Sequence, residues 1–278
     1  MEPVGDPPAY VKKTLRLIRC APHQKISDSD LRGMGIEPST MRRWFKNNHG
    51  MTFQAYQRML RINLGYQQIK TKTSVTHGAF DTGFKSMSGF AESYKNLFGA
   101  SPSKSEEINT IIIERFSTPL GAMFACATNE GICLLEFTNR RMLEAEFKDL
   151  RKRLKAVIVP GENQHIRCLK KEMQAYFSGQ LRHFSVPLVT PGTDFQNKVW
   201  KSLQKVPYGK TKSYLEQAQA MGNEKAVRAV ARANGMNRIA IVIPCHRIIG
   251  SDGSLTGYAG GLPRKKWLLE FESKQLSI

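Results

Sequence analysis

The chain has 278 residues, 41% of them hydrophobic, and a formal net charge of +19. That length exceeds one ordinary domain and predicts two or three compact units. No run of 18 apolar residues occurs and Met1–Tyr10 lacks the basic-then-apolar order of a secretory signal, which argues against a membrane and for a cytoplasmic, nucleoid-associated location. The charge favours a polyanionic partner, because Lys and Arg displace counterions from phosphates. It is shared between the ends: residues 1–110 carry 16 basic against 9 acidic side chains, and residues 192–278 carry 14 against 6. Five cysteines, at positions 20, 126, 133, 168 and 245, include no C-x-x-C pair, so neither disulfides nor a metal site is expected. All but Cys245 are expected to pack as small hydrophobes.

In chain order, Tyr10–Arg19 reads as a helix, and residues 27–46 as a helix-turn-helix. There Ser27 caps a short helix, Gly33 and Gly35 permit the turn, and Ser39 caps a second helix. That second helix turns Met41, Trp44 and Phe45 inward and leaves Arg42, Arg43 and Lys46 outward. A long helix from Thr52 to Ile69, with apolar residues at helical spacing, reads as a spacer. The pattern then recurs: a short helix at Ser74–Thr82, a turn at Gly83-Phe84, and a helix from Ser88 to Leu97 ending at Gly99.

Gly83-Phe84, Ser88-Gly-Phe90 and Phe98-Gly-Ala-Ser-Pro102 resemble the DNA-binding domain of AraC-type regulators over about 80 residues. The resemblance implies two reading helices, Ser39–Lys46 and Ser88–Lys95, entering the major groove with Arg42, Arg43, Lys46 and Lys95 towards DNA. Asp28, Asp30, Glu37 and the two glycines make the first unit depart from the family pattern.

After a polar linker at Ser103–Asn109, strands are expected at Thr110–Phe116, Ala122–Ala127 and Gly131–Phe137, then a helix at Arg141–Leu154, forming a small α/β unit. Further on, helices are expected at Phe195–Val206, from Tyr214, and at Ala226–Asn234, with a turn at Pro207-Tyr-Gly209. The apolar run Ile239–Ile243 then leads into Pro244-Cys-His-Arg247 and a Gly-rich stretch, Gly253–Gly261. Thiolate is the nucleophilic form of cysteine, so Cys245 needs a base or a cationic setting, and His246 stands next to it. Neighbours in an extended chain point to opposite sides, which would have His246 act through a water or after a turn. A Cys-His pair alone better suits a packed cysteine beside a hydrogen-bonded histidine.

The longer string Ile243-Pro-Cys-His-Arg-Ile248 resembles the Pro-Cys-His-Arg-Val motif of O6-alkylguanine-DNA alkyltransferases, with Ile for the last Val. It is accompanied, in order, by Val206-Pro-Tyr-Gly-Lys-Thr-Lys-Ser-Tyr214, Lys225-Ala-Val-Arg-Ala-Val-Ala231, Asn237, Gly257-Tyr-Ala-Gly-Gly-Leu262 and Trp267-Leu-Leu269. Together the resemblance runs from Phe195 to Glu272.

What it implies is specific. Cys245 accepts the alkyl group irreversibly from O6-alkylguanine or O4-alkylthymine in double-stranded DNA, once per molecule and without a cofactor. His246, acting through water and linked to Glu272, takes the thiol proton, and Asn237 braces the turn. Tyr214 assists protonation of the departing guanine and contacts the DNA backbone. Arg228 fills the gap left by the flipped nucleotide. Tyr258, Ala259 and Ile248 line the base pocket, with Ala259 where many relatives carry Ser.

An AraC-like half joined to an alkyltransferase half resembles the Ada type of bifunctional protein, although residues 1–26 hold only Cys20 where that type carries a zinc-binding cysteine domain. The expected architecture is multi-domain: an all-α tandem helix-turn-helix domain (1–107), a small α/β ribonuclease H-like subdomain (108–190) and a mainly helical, winged-helix-like alkyltransferase domain (191–278). A monomer that also regulates transcription, through promoter DNA and RNA polymerase, follows from the same resemblance. The alternative is a sequence-specific transcription factor whose alkyltransferase half only senses damage.

Overall fold

The computed structural model describes residues 7–49, 51–70, 82–84, 86–99, 101–103 and 108–276. It resolves two compact units, one made of Asp6–Ile113 with Leu154–Glu162, the other of Glu114–Arg153 with Asn163–Ile278. The expected short helix at Ser74–Thr82 lies, but for Thr82, outside the described residues.

The first unit begins with α1 (Ala9–Cys20), α2 (Asp28–Gly33), α3 (Pro38–His49) and α4 (Phe53–Lys70). Ser27 caps α2 reciprocally with Asp30, each side chain taking the other's backbone N–H. Val11 and Ile18 of α1, Leu31, Ile36, Met41 and Phe45 close over Phe53, so the apolar stripes meet in one core. Trp44 is half-buried against that core, and Arg42, Arg43 and Lys46 are exposed. The expected cap at Ser39 is corrected. Pro38 already occupies the first helical position, where its missing N–H costs nothing, and Ser39 lies inside the helix.

Helix α4 is more than a spacer. It buries Gln57, Ile62, Asn63 and Tyr66; the Gln57 amide is bonded to the backbone of Ile26 through both its oxygen and its nitrogen. Tyr66 donates to Ile108 O at 2.5 Å and Asn63 to Pro160 O at 3.3 Å. Helix α5 (Met87–Phe98) starts after Ser86, whose side chain accepts from Gly89 N, one position ahead of the expected start, and ends at Gly99 in the left-handed region. Its Phe90, Tyr94 and Phe98, spaced by four, are buried, and the Tyr94 and Phe98 rings meet tilted, with centroids 4.5 Å apart.

Strand β1 (Asn109–Thr118) absorbs the end of the expected linker. The sheet is mixed, in the order β3-β2-β1-β4. β2 (Gly121–Ala127) and β3 (Ile132–Phe137) pair antiparallel and are buried along their whole length. β4 (Ala156–Pro160), parallel to β1, was not foreseen. Nor was α7 (Gln164–Phe177), which follows α6 (Leu143–Leu154) and is capped by Asn163.

Beyond it stand α8 (Asp194–Gln204), capped by Thr193, a two-residue strand β5 (Lys212–Ser213), and α9 (Tyr214–Ala220), capped by Ser213. The expected helix at 226–234 is a 3-10 turn, Glu224–Ala226, followed by α10 (Val227–Gly235). Trp200 of α8 donates to Ala233 O at 2.9 Å and so fixes α10. A second 3-10 turn, Cys245–Arg247, leads into β6 (Ile248–Ile249), parallel to β5, and the chain closes with α11 (Leu262–Leu276). Among the described residues no helix is long and apolar enough to cross a membrane.

Cys126 and Cys133 are buried as expected, but Cys20 and Cys168 are exposed. Both lie on the outward faces of amphipathic helices, where the apolar stripe passes them by.

Candidate functional site

The site is built on the segment from Asn237 to Arg247, all of it buried. Its apolar run, Ile239–Ile243, turns on itself instead of running straight. Leu135 of β3 donates to Arg238 O and accepts from Ala240 N, which anchors the entry to the turn. The backbone then reverses through Ile241, whose φ of 72° is a strained value for a β-branched residue. Cys245 and His246 both sit in the 3-10 turn, the second of the two geometries expected for the pair, and not in extended chain.

Asn237 ties this turn together. Its Oδ1 accepts from Ile239 N at 3.0 Å, and its Nδ2 donates to Ile243 O at 2.8 Å and to Cys245 Sγ at 3.1 Å. Burial pushes the Cys245 thiol up to about 11, against the opposing pull of the Asn237 amide. At neutral pH the sulfur is a thiol, and a base must take its proton before it can act as a nucleophile.

His246 is wholly buried, and burial lowers its affinity for a proton, leaving a neutral imidazole. Nε2 lies 3.0 Å from Glu272 Oε1, whereas Nδ1 has no protein partner. An ionised carboxylate only accepts, so Nε2 carries the hydrogen and Nδ1 presents its lone pair as a base.

Glu272, also wholly buried, is a hub. Oε1 takes His246 Nε2, Arg247 NH2 at 2.9 Å and the Tyr176 hydroxyl at 2.7 Å; Oε2 takes Arg247 Nε at 2.9 Å and Gly209 N at 3.0 Å. Burial alone would raise its carboxyl, but the hydrogen bonds from His246 and Arg247 and the Arg247 charge outweigh it and hold the group well below the ordinary carboxylate range. Only glycine suits position 209, where φ is 68° and a Cβ would come within 2.3 Å of Leu276.

Tyr214, first residue of α9, points its hydroxyl at Thr256 O (3.2 Å) and Gly257 O (3.4 Å). Lys265 is wholly buried. Its ammonium donates to Ile248 O and to Thr256 O at 2.7 Å and sits 6.0 Å from the Tyr214 ring, and burial pulls it down to about 8. The Tyr258 ring lies 6.4 Å from that of His246, its hydroxyl buried without a partner. Gly260 is packed so closely that a Cβ would meet Tyr258 at 2.7 Å and Phe137 at 3.0 Å. Beside exposed Ala259 opens a cleft of about 390 Å³, bounded by Arg140, Met142, Gly235 and Arg264.

Thus Cys245, His246, Asn237, Glu272, Tyr214, Tyr258 and Ile248 belong to one linked arrangement, with Ala259 at its edge. Arg228 is exposed on the second residue of α10, on the helix that ends at this turn. Arg42, Arg43, Lys46 and Lys95 belong to the other unit and are all exposed. Arg42, however, is already paired with Asp28 at 2.7 Å. Tyr176, Arg247 and Lys265 were missed as site residues. A lysine in the apolar face of α11 was a readable signal for Lys265, while nothing local marks Tyr176. Among the described residues no group of three metal-binding side chains converges.

Residues 194–274 match the family model of 6-O-methylguanine DNA methyltransferase, DNA binding domain, and residues 31–107 match a helix-turn-helix domain. The chain is 40% identical over 163 residues to a methylated-DNA--protein-cysteine methyltransferase of Methanosarcina barkeri, covering 57% of this chain and 95% of the relative. The like-named protein of Mycobacterium tuberculosis is 54% identical over 104 residues, 37% of this chain and 63% of that one. The crystal structure of the Mycobacterium tuberculosis O6-methylguanine methyltransferase superposes with a TM-score of 0.52 at 37% identity, covering 60% of this chain and 94% of the other. Its complex with DNA gives 0.51 at 38% identity, covering 59% and 93%. With its AraC-type helix-turn-helix region ahead of the matched part, in an Ada-like arrangement, the chain belongs to the methylated-DNA--protein-cysteine methyltransferase family.

Proposed function

We propose that the protein repairs O6-alkylguanine, and O4-alkylthymine, in duplex DNA by transferring the alkyl group to Cys245. The observation that carries this assignment is the chain of contacts from Asn237 to the Cys245 sulfur and from Glu272 to His246, which leaves one histidine nitrogen free as a base in the same turn. Sulfur attacks the alkyl carbon, so an S–C bond forms as the bond from carbon to the guanine oxygen breaks. The thiol proton passes to His246 Nδ1 through a bridging water, and Tyr214 delivers a proton to the departing guanine. In the net reaction a proton moves from the thiol to the base. The thioether is stable, and each molecule acts once.

The target atom lies inside the helix, so the nucleotide is flipped into the pocket edged by Tyr258, Ala259 and Ile248 while Arg228 occupies its place in the stack. A positive surface drives the approach to DNA. The three-part division at residues 107 and 190, with a ribonuclease H-like middle and a winged-helix-like end, remains the reading that suits the mixed sheet and the α8–α10 cluster. The helix-turn-helix region supports a regulatory role at a promoter in the nucleoid, by a monomer that meets RNA polymerase. In that role Arg43, Lys46 and Lys95 contribute more than Arg42, whose charge Asp28 already engages.

The test is incubation with a duplex carrying one O6-methylguanine, followed by peptide mass spectrometry. One methyl group on Cys245, absent in Cys245→Ala, is the expected result. Folded protein with unmodified Cys245 and intact lesions would overturn the proposal.

A further inference from the structure

Arg140, in the loop after β3, is buried to 5% side-chain exposure between two buried carboxylates, Glu136 and Glu146 at 2.7 Å. Its guanidinium also reaches across to α10. NH1 donates to Asn237 O at 3.1 Å and NH2 to Gly235 O at 3.2 Å. One planar fork therefore holds the carbonyl of Gly235, the last residue of α10, and that of Asn237, the first of the active-site segment. Asn237 is the residue whose amide meets the sulfur at 3.1 Å.

Burying one cation with two carboxylates is a poor route to stability, because desolvation consumes most of the attraction. Its return is geometric: a guanidinium fixes the direction of every donor, which an ammonium on a flexible stem does not. Glu136 is itself anchored by Phe137 N at 2.9 Å, so the fork is referenced to the rigid strand β3. No part of the proton path touches Arg140, and the fork meets backbone carbonyls instead of reacting atoms.

We propose that Arg140, held by Glu136 and Glu146, is a positioning residue for alkyl transfer: it sets the Gly235–Asn237 step and thereby the placement of the Asn237 amide against Cys245. This inference rests on the alkyl-transfer reading and deepens it. Loss of the fork lets Asn237 shift while Arg228 and the exposed face of α10 stay available to DNA. The defect should therefore fall on the transfer step and spare DNA affinity.

The experiment is a double-mutant cycle in the full chain with Arg140→Gln and Asn237→Ala. It reads single-turnover methylation of Cys245 at saturating lesion duplex, the Kd for that duplex, and the pH midpoint of Cys245 alkylation by iodoacetamide. Arg140→Gln should slow transfer about tenfold or more with Kd within about twofold of the parent. It should also move the iodoacetamide midpoint upward, as Asn237→Ala does; because the Arg140 charge itself favours the thiolate, Arg140→Lys, which keeps that charge, is measured beside it and should move the midpoint too if the amide is displaced. The double variant should be no slower than Asn237→Ala alone.

Losses that multiply in the double variant, or an unshifted midpoint in either Arg140 variant, would overturn the proposal. If Arg140→Gln does not fold, Arg140→Lys, which keeps the cation but not the fork, takes its place, and a parental transfer rate in that variant overturns the proposal equally. If the parent protein itself leaves lesions intact, the repair assignment fails. The iodoacetamide midpoints still report separately on the link from Arg140 through Asn237 to the thiol.

Discussion

Glu272→Gln keeps the shape of the side chain and removes one acceptor and one charge. The carboxylate receives five donors on two oxygens, three on Oε1 and two on Oε2. A glutamine oxygen can replace only one of the two. If it takes the three-donor position, its NH2 faces Arg247 Nε–H and Gly209 N–H, leaving two buried donors pointing at a third and the Arg247 cation without its counter-charge. At 1–3 kcal/mol per orphaned donor and more for an unpaired buried charge, the loss should be about 3–5 kcal/mol. That corresponds to a fall in Tm of roughly 6–20 °C for a unit of this size.

The chemistry should suffer as well, because the carboxylate dictates which imidazole nitrogen carries the hydrogen. Single-turnover transfer at a temperature where the variant is folded should slow by about 10²-fold, the lower end of general-base contributions. The pH dependence has a definite sign. Glu272 is held below its ordinary carboxyl value of 4.5, so its contribution to stability is present above that value and is lost as pH falls below it. Thermal melts between pH 3 and 7 should show this acid limb in the parent and a flatter one in the variant. A Glu272→Gln protein that melts lower yet transfers at the parental rate would refute the view that Glu272 sets the state of His246.

The remaining expectations concern neighbours of that hub. Iodoacetamide labelling of Cys245 in DNA-free protein should rise steeply with pH towards about 11; because the folded thiol is raised above its ordinary 9.0, stability present below 9 should decline between 9 and 11, as pH-dependent melts would show. Arg228→Ala should slow repair of duplex lesions by about 10²-fold in a single-turnover assay while leaving single-stranded lesions nearly unaffected, since only a duplex stack needs filling. Gly260→Ala should displace the Tyr258 ring or Phe137, costing about 1–3 kcal/mol by denaturant titration and weakening base capture.

How much of this could be read beforehand follows from the range of each interaction. The turn holding Cys245, His246 and Asn237 is local, with Asn237 eight residues from the thiol it touches, and a short string specifies it. Glu272 came into view only through resemblance, because its partner His246 is 26 residues away. Tyr176 is 96 residues from Glu272, and no periodicity encodes such a pairing. Helix α7 itself was legible: buried Ile166, Leu169, Met173 and Tyr176 recur at three- and four-residue steps. Strand β4, five residues long, is too short for alternation to distinguish it from a loop. The path of Ile239–Ile243 was not readable, because Asn237 and Leu135 supply from outside the hydrogen bonds that let this apolar run turn.

Cys245 is 7% exposed and its sulfur is held in contact with an amide, so the reactant is also a packing residue. A methyl group added there turns it, in size and shape, into a shortened methionine at a buried position. The protein thereby makes a core substitution in itself, after translation and only where damage existed. Excess volume of that order costs about 1–3 kcal/mol, enough to raise the unfolded fraction several-fold or more and expose spent molecules to proteolysis. The population of weakened chains would then serve as a running tally of lesions removed.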